Sequence, residues 1–107
     1  MSGFDDRERA EEAKYSHDAE LSFKATARRD KLTGEWVASE FLGLSGEAAE
    51  EFGRKAIEAN FEKPGDDDVI EFLMKAVTDA GGDLTEARLK SRMEEFYATA
   101  VEQLKAE

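Results

Sequence analysis

The sequence predicts an all-α fold, a four-helix bundle with a mobile or marginally helical N-terminal arm. Three observations lead there. Apolar residues recur with the spacing of amphipathic helices along most of the chain. Hydrophobic residues make up 40% and charged residues 38% of 107 positions, enough apolar material for one core with wet outer faces. Proline occurs once and β-branched residues are sparse, which disfavours strands.

The first helix is expected to be the longest, ending near Leu42 with Gly43 as its stop. Its later part offers Leu21, Ala25, Leu32, Trp36, Val37 and Phe41 to a core. Its early part, from Asp5 to Ser16, is mostly charged, with Phe4 and Tyr15 as the large apolar residues nearby. Asp5 with Arg9 and Glu11 with Lys14 have helical spacing and favourable polarity, whereas Glu8 and Glu12 repel. Such a segment has little to bury in its own bundle. The expected division is therefore an arm over residues 1–16 and a bundle over 17–107.

The second helix should run from a Ser45 cap to about Glu62, with Glu47, Glu50 and Glu51 favourably placed for the helix dipole. Ala49, Phe52 and Ala56, continued by Asn60, form its stripe, and Gly53 within it either weakens the helix or admits a close neighbour. Pro64 and Gly65 punctuate the next loop. The third helix follows Asp66-Asp67-Asp68, read as a cap plus dipole-stabilising acids. Its stripe is Val69, Phe72, Leu73, Ala76, Val77 and Ala80, and Gly81-Gly82 ends it. Thr85 is the expected N-cap of the fourth helix, with Leu84 and Leu89 at hydrophobic-staple positions. Leu89, Met93, Phe96, Ala100 and Leu104 continue that stripe.

A net charge of -11 argues against nucleic acid and anionic lipid, and favours a basic surface or cationic cleft on another protein. Without cysteine there are no disulfides, thiol catalysis or Cys-built zinc site. No apolar run reaches the length of a membrane span, and the N-terminus lacks a secretory layout, so a cytoplasmic protein without membrane insertion is expected.

Candidate chemistry is thin, and no enzyme is expected. The acidic triplet at 66–68 lacks the spaced ligands, central glycine and bidentate Glu of a calcium loop. His17 is the sole histidine and has no nucleophile or second ligand at a motif spacing. Gly43-Leu44-Ser45-Gly46 lacks the lysine of a phosphate loop. No serine stands in the Asp-Ser-Leu context of an acyl carrier. Trp36, Phe41, Phe52, Phe72 and Phe96 fit a core. Lys24, Arg28 and Arg29, with Trp36 nearby, support an alternative reading: a small bundle that binds ATP or ADP weakly, with no other cofactor and no metal. The arm is the stronger candidate, because dense charges of both signs between two aromatics suit a segment that folds into a partner's cleft.

The run Phe4-Asp5-Asp6-Arg7-Glu8-Arg9-Ala10, then Glu12-Ala13-Lys14-Tyr15 and His17-Asp18, resembles the start of the zeta inhibitor subunits of alphaproteobacterial F-type ATP synthases. The resemblance continues through Ala27-Arg28-Arg29, Leu32, Gly34, Trp36, Leu42-Gly43-Leu44, Phe61-Glu62 and Pro64-Gly65-Asp66-Asp67-Asp68. It implies an arm that inserts between subunits of the catalytic head (alpha, beta and the central gamma) and blocks ATP hydrolysis, on a protein peripheral to the inner membrane. By position, Phe4 and Tyr15 would be apolar anchors, and Arg7, Arg9 and Lys14 would meet acidic groups. Asp5, Asp6, Glu8 and Glu12 would supply helix-start charge and counter-pairs, with the element extending to His17. Glu11 departs from the aromatic residue often found at that position of the family, which implies one apolar anchor fewer, and with it either weaker inhibition or a drift to another use.

Overall fold

Caps and glycines set the helix boundaries. The computed structural model describes the backbone of residues 2–61 and 65–107, and the side chains of 19–61 and 65–107. The helices are α1 (Ser2–Phe41), α2 (Gly46–Phe61), α3 (Asp67–Asp79) and α4 (Glu86–Ala106), with no strand among the described residues. This is the all-α, four-helix architecture that the periodicity predicts. The expected arm, residues 1–16, lies outside the described side chains, as does His17.

Helix α1 is the central element and packs mainly on α2 and α4. The α1–α2 crossing depends on two glycines. A Cβ on Gly34 would stand 2.8 Å from the Gly53 Cα, and one on Gly53 would stand 2.8 Å from the Lys31 carbonyl oxygen. Gly53 therefore serves close approach, and its cost in helix propensity is offset by the contact it admits.

The core contains Val37, Ala56, Val69, Ile70, Leu73, Val77, Leu84, Leu89 and Met93, so all four helices and the α3–α4 loop contribute. Trp36, Phe41, Phe52 and Phe72 pack partly buried against it, and the Phe52 and Phe72 rings stack at 5.2 Å. The third helix is rotated slightly from its predicted stripe. Ile70 is buried and Ala80 exposed, because α3 ends at Asp79 and its first turn faces inward.

The C-terminus of α3 is a Schellman motif: Gly82 N–H donates to the Val77 carbonyl (2.8 Å) and Gly81 N–H to that of Thr78 (3.0 Å). Gly81, at φ 78, occupies the left-handed position that a side chain would strain. Thr85 caps α4 as predicted, its hydroxyl accepting the Arg88 N–H at 3.1 Å. Leu84 and Leu89 are both buried, as the staple requires.

Helix α2 starts at Gly46, directly after Ser45. One predicted cap differs in its bonding. Asp66 holds the N-cap position of α3 but makes no capping hydrogen bond. Its carboxylate is turned to Arg29 of α1, a charge-assisted partner stronger than a backbone amide. Asp67 and Asp68 remain in the first turn, where the dipole favours them.

Candidate functional site

The most concentrated chemistry in the described residues is a polar cluster joining α1, the end of α2 and the start of α3. Arg29 donates from Nε (3.0 Å) and Nη2 (2.7 Å) to Asp30 Oδ1. It also reaches Asp66, from Nη2 to Oδ1 at 2.8 Å and from Nη1 to Oδ2 at 3.3 Å. Asn60 Nδ2 donates to the other Asp30 oxygen at 2.6 Å. The Thr33 hydroxyl, fully buried, donates to the Arg29 carbonyl at 2.7 Å.

The Asp30 side chain is 1% exposed. Burial raises its pKa above the ordinary carboxylate value, against the opposing pull of Arg29 and Asn60. Burial also disfavours the Arg29 cation, but its bonds to Asp66 and Asp30 outweigh that, and its pKa lies above its usual value. The cluster is a fixed tie between three helices, with its charges satisfied internally.

Beside it opens a groove of about 620 Å³ between α1, α3 and α4. Arg29, Asp66, Asp67, Lys90 and Glu94 supply its charges, Ile70 and Met93 its apolar wall, and Tyr97 an aromatic edge. The mixed signs suit a polar surface feature better than a polyanion, since Arg29 already holds two carboxylates.

The residues of the nucleotide reading are not gathered into one site. Arg29 lines this groove, while Lys24 pairs with Glu20 at 3.1 Å and lines a smaller hollow with Leu21, Leu104 and Glu107. Arg28 donates to Gln103 and Glu107 near the end of α4. Trp36 lines neither cavity. Its ring lies under the guanidinium groups of Arg92 and Arg88, at 5.0 and 5.7 Å, and meets Phe41 edge-on at 5.5 Å. The expected partner-binding residues Phe4, Asp5, Asp6, Arg7, Glu8, Arg9, Glu11, Glu12, Lys14, Tyr15 and His17 lie outside the described side chains.

Sequence reading missed two features. Asp30 carries no motif, because its partners are the adjacent Arg29 and Asn60, thirty positions away. Phe23 and Phe61 face solvent at 62% and 59% exposure, with ring centroids 5.7 Å apart. The available signal was that Phe23 falls off the stripe of Leu21 and Ala25.

Among the described residues no group of acids and histidines stands ready to hold a metal, and no helix is long and apolar enough to cross a membrane. The fold and its charge define an acidic four-helix protein. The chain belongs to the ATPase inhibitor subunit zeta family, whose model matches residues 1–103. No curated protein matches it.

Proposed function

We propose that the protein inhibits ATP hydrolysis by the catalytic head of an F-type ATP synthase, inserting its N-terminal segment between head subunits. The observation that carries this reading is the extent of the family match, which runs over residues 1–103 and so takes in the segment and the bundle together. Phe4 and Tyr15 act as apolar anchors, and Arg7, Arg9 and Lys14 pair with acidic groups in a cleft formed by the alpha, beta and gamma subunits. The bundle stays outside and holds the segment at high effective concentration. The protein then sits at the cytoplasmic face of the inner membrane through the synthase alone.

The cations of the alternative nucleotide reading support this division of labour, since Lys24, Arg28 and Arg29 each contact a carboxylate of the same chain. The test is a titration of the full chain, and of a chain lacking the residues before Ser16, into an ATP hydrolysis assay of the head from the same cell. The full chain should inhibit and the shortened one should not, while both keep a helical spectrum. Equal inhibition by both, or by neither, refutes the reading.

A further inference from the structure

We infer that Phe23 and Phe61 form a second contact with the ATPase head, seating in an apolar depression at the mouth of the cleft that takes the N-terminal segment. This rests on the function proposed above and adds a site on the bundle to it.

Folding does not account for the pair. Both rings are more than half exposed and neither belongs to the core cluster. They come from α1 and the last residue of α2, and they meet at 5.7 Å with an interplanar angle of 35°. That contact makes one apolar patch of two side chains, where scattered single residues would need no explanation. Its edge on α1 is polar and paired: Glu20 and Lys24, on the turn that carries Phe23, meet at 3.1 Å. An apolar centre with a polar rim is the anatomy of an interface.

Area and position identify the occupant. A phenylalanine buries on the order of 200 Å² when fully covered, so the exposed parts of two rings offer about 250 Å². A stable dimer needs about 800 Å² on each partner. The patch is too small to hold a second copy of this chain. It suits a partner that another contact already keeps close, where a small apolar surface acts at high effective concentration. Phe23 lies on the same helix as the inserting segment, six residues after His17. At the helical rise that is about 9 Å along the axis. A cleft that encloses the segment as far as His17 therefore has Phe23 at its rim.

The experiment compares the full chain with its Phe23→Gln/Phe61→Gln variant in the hydrolysis assay, together with the rate at which each leaves the head. The variant should raise the half-inhibitory concentration at least about tenfold, and the loss should appear mainly as faster dissociation. Phe23→Leu/Phe61→Leu, which keeps apolar surface, should recover most of the inhibition. Wild-type inhibition with an unchanged Gln variant overturns the second contact and leaves the proposed function standing. No inhibition by the wild type overturns both. A wild-type dimer in sedimentation that the Gln variant converts to monomer assigns the patch to self-association and overturns the inference. Should the Gln variant lose helicity, Phe61→Asp alone, at the end of α2, makes the same comparison.

Discussion

Replacing Asp30 by alanine is the most demanding test of the packing described above. The substitution leaves Arg29 Nε and Asn60 Nδ2 without their acceptors, while Arg29 keeps only Asp66. Breaking a buried pair from one side costs about 3–5 kcal/mol, because the surviving charge is stranded. The Asp66 side chain is 45% exposed and continues to serve Arg29, which places the expected loss near the lower end, about 3 kcal/mol. Against a total stability of about 5–15 kcal/mol that is a large fraction. It corresponds to a fall in Tm of more than about 10 °C for a domain of this size. Asp30→Asn separates the hydrogen bonds from the charge. Its carbonyl can still accept from Arg29, and its amide can donate to the Asn60 carbonyl oxygen once the Asn60 amide, whose Nδ2 faces this position, turns over. That variant should lose only about 1 kcal/mol, the net value of a typical hydrogen bond. Urea denaturation followed by helical circular dichroism measures both. A loss below about 1 kcal/mol for alanine, or an equal loss for the two variants, would refute the reasoning.

The acid response of the same carboxyl has a defined sign. Its folded pKa is raised above 3.8, so its stabilising contribution is complete below that pH and is lost as pH rises through the raised value. The stability advantage of wild type over Asp30→Asn should therefore shrink as pH rises above 3.8, and a widening gap contradicts the assignment. Arg29 remains a cation throughout that window and adds no slope. Gly34→Ala brings a Cβ to 2.8 Å from a backbone carbon, and overpacking of about 1–3 kcal/mol should exceed the helix-propensity gain of about 1 kcal/mol; a raised melting temperature would count against the crossing. Thr85→Ala should cost about 1 kcal/mol in chemical denaturation, and Thr85→Ser should restore most of it, since either hydroxyl can accept the Arg88 N–H.

Local signals in the sequence were read well. Thr85, the Leu84–Leu89 staple and the paired glycines after α3 each act within a few residues, and each stands where the pattern put it. Signals with a distant partner were not legible. Asp66 looks like a cap because capping is the usual role of an aspartate before a helix, yet Arg29, far away in sequence, takes its carboxylate. Ile70 lay outside the predicted α3 stripe because a stripe from spacing alone is uncertain by a residue where the first turn faces inward. Gly34 shows its purpose only once Gly53 is opposite it. The candidate site divides in the same way: composition marks the N-terminal segment, while the Phe23–Phe61 patch exists only after α1 and α2 are packed.

The single tryptophan has a practical consequence. Trp36 stands on α1, and the two guanidinium groups over its ring come from α4, so indole emission reports whether those helices are together. A population in which α4 has come away while α1 and α2 remain paired would change fluorescence before it changed helical content. The native chain therefore carries its own optical probe of partial opening, at a site separate from the aromatic patch proposed to meet the ATPase.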